Sequence, residues 1–250
     1  MANLFSGKMA AIFDAMYQTF INYDEEYEFF NGLLQERNCG SVLEIGSGTG
    51  NLAKRFCKNN QNYKGLDSSL SMIAIAQERN RDCTFIHGDM RKFELENPVD
   101  AIIITGRSTS YLINNEDIID AFECVHKNLN PDGIFIFDII DANRFIPFIK
   151  ENETIIHEAS YEGINYIRES QWETTPFENF MLNWNAKYYQ VADNDKEILS
   201  EDFSTVRVFT RNEIELFLYL YNFEILEVID RKTYAYDTYV FVTKKKTHIK

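Results

Sequence analysis

Apolar residues at Met9, Ile12, Phe13, Met16, Tyr17 and Phe20 recur at helical spacing, which predicts an amphipathic helix over 9–20 with an aromatic stripe. A second helix is expected next. Asp24 reads as its cap, Glu25 and Glu26 sit at the positive end of the helix dipole, and Asn38-Cys39-Gly40 stops it. Beyond this point the period alternates. Strand-length apolar runs at 42–45, 63–67, 83–87, 99–105 and 134–139 are separated by helical patterns at 51–58, 72–79 and 116–129, with Ser68 and Ser69 as cap candidates for the second of these. Alternation of this kind predicts a parallel sheet with helices on both faces, whose ligands bind beyond the carboxyl ends of the strands. The texture changes after Asp141. Residues 154–208 lack helical period, are rich in Tyr, Thr, Trp, Phe and Ile, and carry turn signals at Glu162-Gly163, Thr175-Pro176 and Asp193-Asn194-Asp195, so an antiparallel β insertion is expected. Thr210-Arg211-Asn212-Glu213 is a capping box for a helix ending at Asn222, and two strands at 223–229 and 239–243 close the chain.

Composition narrows the class of partner. The 250 residues carry a net charge of −14, which leaves no large basic surface to neutralise phosphates and argues against nucleic acid. The apolar runs are strand-length and the first eight residues lack the pattern of a secretory leader, so a cytoplasmic protein without membrane attachment is expected. Cys39, Cys57, Cys83 and Cys124 show no Cys-x-x-Cys pair, and His87, His126, His157 and His248 are dispersed. Neither a metal site nor a disulfide frame is signalled, and these residues read as packing or surface.

The stretch Val42-Leu43-Glu44-Ile45-Gly46-Ser47-Gly48-Thr49-Gly50 reads as a buried strand, a tight glycine loop and a helix start, which is a nucleotide-cofactor entrance. A dinucleotide site wants G-x-G-x-x-G, but here the glycines alternate and Asn51 takes the third-glycine place. Glu44 would also repel a pyrophosphate, whereas an ammonium or sulfonium would welcome it. A phosphate-loop NTPase is excluded, since no Gly-Lys-Ser or Gly-Lys-Thr follows.

These residues resemble the class I S-adenosylmethionine-dependent methyltransferases, and the resemblance spans nearly the whole chain. The stretch from Val42 to Gly50 looks like that family's first motif, Leu66-Asp67 like its second-strand acid, Gly88-Asp89-Met90-Arg91 like its adenine-side motif, and Leu129-Asn130-Pro131-Asp132-Gly133 like the turn into its fifth strand. The resemblance implies an α/β fold: a doubly wound, Rossmann-like, mainly parallel seven-stranded sheet with an antiparallel C-terminal hairpin, plus the β insertion. Four parts follow: N-terminal helices over the cofactor site (1–40), a cofactor-binding core (41–150), the insertion as substrate lid or dimer contact (151–208), and a final helix and hairpin completing the sheet (209–250). A monomer or homodimer is expected. The pattern is most similar to the small-molecule branch, the glycine and sugar-amine N-methyltransferase type.

For S-adenosylmethionine, with S-adenosylhomocysteine as product, the implied binding set is Tyr17, Tyr23, Glu44, Gly46, Ser47, Gly48, Gly50, Asp67, Ser68, Met72, Asp89, Met90, Thr105 and Ser108. Asp67 can accept both ribose hydroxyls, or else it caps a helix. Asp89 can accept from the adenine amino group while Met90 packs on the ring. Glu44 either acts on the methionine end or holds the loop as a structural acid, and Tyr17 and Tyr23 are open between rim packing and the cofactor. The acceptor side is expected to use Tyr111, Arg107 and Asp138. Tyr111 stands where the branch often has histidine and, with its normal pKa near 10, would orient a substrate rather than act as a base. Arg107 would meet a substrate carboxylate or phosphate, or else form a surface ion pair. Asp138 would point into the cleft. The insertion contributes Tyr161, Tyr166, Trp172, Phe177, Phe180, Trp184, Tyr188 and Tyr189 to its own core, a pocket wall or a dimer contact. The expected activity is in-line methyl transfer to N or O of a small molecule. A non-catalytic cofactor-binding or scaffold protein is the alternative, and a protein or nucleic-acid methyltransferase a third.

Overall fold

The computed structural model describes residues 7–59, 62–151, 154–175, 180–192, 195–233 and 238–247. Phe177, the turn signals at Pro176 and Asp193-Asn194, and His248 lie outside the described residues. Helices α1 (Gly7–Tyr17) and α2 (Tyr23–Gln35) precede β1 (Ser41–Ile45), followed by α3 (Ala53–Lys58), β2 (Asn62–Asp67), α4 (Leu70–Arg79), β3 (Thr84–His87) and β4 (Val99–Ile104). A 3₁₀ turn (Ser108–Tyr111), α5 (Asn115–Asn128) and β5 (Leu129–Ile140) complete the alternating part. Next come α6 (Ala142–Glu151), β6 (Ile155–Tyr161), β7 (Ile164–Thr174), β8 (Met181–Ala192) and β9 (Asp195–Arg207), then α7 (Arg211–Leu220), β10 (Phe223–Arg231) and β11 (Thr238–Lys245).

Seven strands form one sheet in the order β10-β11-β5-β4-β1-β2-β3, and β6-β7-β8-β9 form a second, antiparallel sheet. In the large sheet β11 runs antiparallel to both β5 and β10, while the pairs from β5 to β3 are parallel. The expected mainly parallel α/β sheet with an antiparallel hairpin is therefore present. Its central strands are buried on both faces, which is why Ala101 to Ile104 reads as an unbroken apolar run. Alternate residues serve opposite layers. Leu43, Ile102 and Phe135 pack against Phe122 of α5 and Leu218 of α7, whereas Val42, Ala101 and Ile134 pack against Phe30 of α2 and Phe56 of α3.

The first helix behaves differently. Met9, Ile12 and Met16 bury their stripe against Tyr166, Trp184 and Tyr188 of the second sheet, so α1 clamps that sheet to the core instead of covering the large one.

Several local expectations are corrected. Asn22, not Asp24, caps α2, its Oδ1 accepting from the N–H groups of Asp24 (3.1 Å) and Glu25 (3.4 Å), and Asp24 pairs with Arg55 at 2.6 Å. Thr210 does accept from Glu213 N–H at 3.3 Å, but the Glu213 carboxylate turns away to Arg207, so only half of the capping box forms. The turn at Asn130-Pro131-Asp132-Gly133 is absorbed into a 12-residue β5. Helix α6 was hidden from the sequence by Pro147 in its interior, and packing of Phe145 and Ile149 against Leu182, Val206 and Val208 holds it. Cys57 and Cys83 are joined in a disulfide, against the reading of both as packing or surface; α3 and the residue just before β3 bring together two positions 26 residues apart.

Candidate functional site

Beyond the carboxyl ends of β1, β2 and β4 lies a cavity of about 410 Å³, bounded by the glycine loop, the loop after β4 and helix α1. It is lined by Tyr17, Tyr23, Glu44, Gly46, Ser47 and Gly48, and across from them by Asp67, Ser68, Met72, Asp89, Met90, Thr105 and Ser108. Thirteen of the fourteen residues expected around a cofactor are thus brought together. Gly50 is the exception. At φ +75° its backbone takes the left-handed region, and a Cβ there would meet Asn80 at 2.6 Å, so this glycine serves the packing of α4 behind the loop. Gly46, at φ +73°, has no room for a Cβ because the Ser108 hydroxyl faces it.

Among the described residues, five carboxylates face the cavity, those of Asp14, Glu26, Glu44, Asp67 and Asp89. Asp67 accepts from Gly48 N–H through Oδ2 (2.9 Å) and from Ser69 N–H through Oδ1 (2.8 Å), so both its oxygens are anchored while retaining lone pairs for further donors. Burial pushes its pKa up, against those amide hydrogen bonds. Asp89 is gripped by Arg91 at 2.6 Å, which holds its pKa below the ordinary value, and Arg91 continues to Asp117 at 2.7 Å. Glu44 lies buried beneath the loop. It accepts from the hydroxyls of Tyr63 and of Thr105 (3.1 Å), and burial, outweighing those bonds, raises its pKa to about 7. Glu44 thus lines the cavity while its carboxylate is held by β2 and by the residue that follows β4.

Asp14 was missed by the sequence reading. A carboxylate inside the aromatic stripe of α1, only 6% exposed, it accepts from Thr49 Oγ1, Asn51 Nδ2 (2.8 Å) and Arg79 Nη2 (2.6 Å). Burial works against its charge, yet Arg79 and these donors hold its pKa below the usual value. The signal was available, because a lone acid at a core position of an amphipathic helix needs partners.

The loop after β4 carries the three acceptor-side expectations. Gly106 and Arg107 both adopt left-handed backbone, at φ +63° and +65°, a conformation that a non-glycine residue keeps only when held. Asp138 holds it, accepting from Arg107 N–H at 2.9 Å, and its own carbonyl accepts from Thr109 Oγ1 at 2.9 Å. Asp138 does not point into the cleft. It is buried under the loop and lines neither cavity described here, with burial raising its pKa to about 6 against the pull of Arg107. Arg107 is not a surface ion pair either, being 8% exposed and donating to Thr233. Tyr111 is 45% exposed at the rim.

A second cavity, of about 250 Å³, opens between this loop and the β6–β9 sheet. Tyr17, Gly106 and Tyr111 line both cavities, so the two adjoin at the loop. Arg107, His157, Arg168 and Trp172 are among the residues lining the second. A residue held in the second sheet has no sequence spacing relative to the glycine loop, which is why this cavity was not legible beforehand.

Residues 42–133 match a family described as a methyltransferase domain. The methyltransferase-family protein YqeM of Bacillus subtilis is 28% identical over 165 residues, 64% of each chain. The dTDP-3-amino-3,6-dideoxy-alpha-D-glucopyranose N,N-dimethyltransferase of Streptomyces fradiae is 28% identical over 137 residues, 54% of each chain. These matches span between about half and two thirds of the relatives' own length. Among solved structures, CalS10, an amino pentose methyltransferase of Micromonospora echinaspora, superposes with a TM-score of 0.77 at 17% identity, over 98% of this chain and 100% of that one.

Proposed function

We propose that this chain, which has the class I methyltransferase fold and carries a methyltransferase domain over residues 42–133, moves a methyl group from S-adenosylmethionine to the amine of a small molecule of the amino-sugar type. The observation that carries the reading is the pair of adjoining cavities, the larger lined by five carboxylates and meeting the smaller at Gly106 and Tyr111. The relatives that methylate amino sugars support the acceptor class.

The residues present fit the donor. Asp67, pinned by two backbone amides, offers its remaining lone pairs to the ribose hydroxyls. Asp89, aimed by Arg91, and Met90 take the adenine. Glu44 and the glycine-loop amides face the amino-acid end, where a buried carboxylate favours a cation. When bound there, S-adenosylmethionine supplies a methyl group made electrophilic by its sulfonium, and transfer is an in-line displacement by the acceptor nitrogen. The chain contributes mostly alignment and exclusion of water. Tyr111 orients the acceptor at the junction, and the proton displaced from nitrogen leaves by its exposed rim. Asp138 keeps the loop in the conformation that places Tyr111.

Calorimetry with S-adenosylhomocysteine, beside S-adenosylhomocysteine production over a panel of amino sugars, tests the proposal. Binding with turnover on an amine is expected, and Tyr111→Phe should lower turnover more than cofactor affinity. Binding without turnover on any acceptor would leave a cofactor-binding protein instead.

A further inference from the structure

The smaller cavity contains more hydrogen-bond donors than the protein uses. Arg168, in the middle of β7, is only 4% exposed. Its Nη2 donates to His157 Nδ1 at 3.0 Å and the hydroxyls of Tyr17 and Tyr188 stand beside the guanidinium, whereas Nε and Nη1 make no hydrogen bond of ordinary geometry among the described residues. Arginine has no acceptor, so the histidine nitrogen is the acceptor; burial and the neighbouring guanidinium lower the His157 pKa to about 4, and the ring stays neutral. Two further buried groups in the same cavity are unpartnered, the hydroxyls of Ser170 and Ser110. Arg168, Ser170 and Trp172 alternate along β7 and therefore share one face of the sheet.

Buried donors without acceptors are costly, and a buried guanidinium without a counter-charge more so. No aspartate or glutamate is among the described residues lining this cavity, although the chain carries a net charge of −14 and the adjoining cavity has five carboxylates. Carboxylates thus gather around the first compartment and are missing from the described lining of the second. Around Arg168 the walls are aromatic, its guanidinium lying 5.3 Å from the centroid of Tyr17 and 5.7 Å from that of Trp184, which strengthens any charge pairing made there.

We propose that the second cavity is a receptor for an oxyanion carried by the methyl acceptor, a carboxylate or a phosphate, bound by Arg168 with Ser170 and Ser110. This rests on the methyltransferase reading and narrows it. Arg168, locked at one end by His157, presents its remaining N–H groups as a fork suited to two oxygens, and the two hydroxyls donate from either side. The size of the compartment limits what accompanies the anion. About 250 Å³ is smaller than the usual pocket for a drug-sized ligand, so the acceptor enclosed there is a single ring or an amino-acid-sized unit, with its amine reaching Tyr111 and its anion reaching Arg168.

The readout is built in. The chain has two tryptophans, Trp172 and Trp184, and both line this cavity with ring centroids 5.9 Å apart, so intrinsic fluorescence reports on its occupancy without turnover. The protein saturated with S-adenosylhomocysteine is titrated with inorganic phosphate, sodium acetate and, as a neutral control, glucose. Saturable fluorescence change with phosphate or acetate, with a dissociation constant on the order of millimolar, is expected, and none with glucose. Response to phosphate alone assigns a phosphorylated acceptor, and response to acetate alone a carboxylated one. In Arg168→Met the response should be lost. Should that variant fail to fold, the pair Ser110→Ala and Ser170→Ala, each removing a hydroxyl with no protein partner, should weaken the anion about tenfold while leaving S-adenosylhomocysteine affinity unchanged. Cofactor binding with no anion response, or a response unaltered in the serine variants, overturns the receptor while leaving the methyltransferase reading intact; absence of cofactor binding would overturn that reading itself.

Discussion

Glu44→Gln should make the free protein more stable than wild type at alkaline pH by removing one contribution to its pH dependence. Glu44 is buried, and its pKa rises from the ordinary 4.5 to about 7, first because burial penalises the carboxylate and then against the hydrogen bonds from Tyr63 and Thr105. Between these values the folded chain keeps the proton that the unfolded chain has lost. The folded state thus binds more protons, and its stability falls as pH rises toward 7. From pH 5.5 to pH 8 this amounts to about 2 kcal/mol, and the full difference between the two pKa values corresponds to about 3 kcal/mol. Glutamine preserves the shape and can still accept a hydroxyl hydrogen bond, but it does not titrate. Urea unfolding of both proteins at the two pH values measures the effect: the stability of Glu44→Gln minus that of wild type should grow by about 2 kcal/mol on going to pH 8. Parallel profiles would refute the reasoning. An ammonium placed beside Glu44 reverses the balance, since it favours the ionised carboxylate, so binding of S-adenosylhomocysteine through its α-ammonium near pH 7 should release a proton in wild type and not in the variant, read as a buffer-dependent binding enthalpy.

Other consequences are open to direct measurement. Asp67→Ala should weaken S-adenosylhomocysteine by about a hundredfold or more, because two charge-assisted hydrogen bonds are lost, and unchanged calorimetric affinity would remove the ribose from this position. Asp14→Asn leaves Arg79 without its counter-charge; as Arg79 is partly exposed, the loss should be nearer to about 2 kcal/mol than to that of a fully buried pair, with faster hydrogen exchange in α1 as the local signature. Asp138→Ala should lower the unfolding free energy by about 1–3 kcal/mol through the unsatisfied Arg107 amide and reduce turnover while cofactor affinity persists; an equal loss of both would place Asp138 in the cofactor site.

Much of the fold is legible in the chain because each signal is local. A buried parallel strand must be apolar throughout, so Ala101 to Ile104 announces itself, and an amphipathic helix repeats its apolar face, as α5 does. The cofactor side is legible for a related reason: the glycine loop, Asp67 and Asp89 each end a strand of one parallel sheet, and such ends converge on the same edge. Where local signals conflict no element is announced, as at α6, whose interior Pro147 masks a helix that packing against β8 and β9 maintains. Sequence could not see the Cys57–Cys83 bond, which depends on how α3 meets β3.

The glycine stretch that begins around Glu44 is identifiable from residue order alone, but the role of that carboxylate is not. Chain order places a carboxylate below the glycine loop; only the folded surroundings, Tyr63 from β2 and Thr105 after β4, decide that it is buried, braced and near neutral pH in its titration. The same division holds for the acceptor side. Composition and periodicity determined an α/β core with a β insertion, since both follow from neighbours along the chain. That Arg168 on β7, Ser110 after β4 and Tyr17 on α1 share one enclosure was decided by tertiary structure, because burial and charge pairing depend on distances that chain order does not contain.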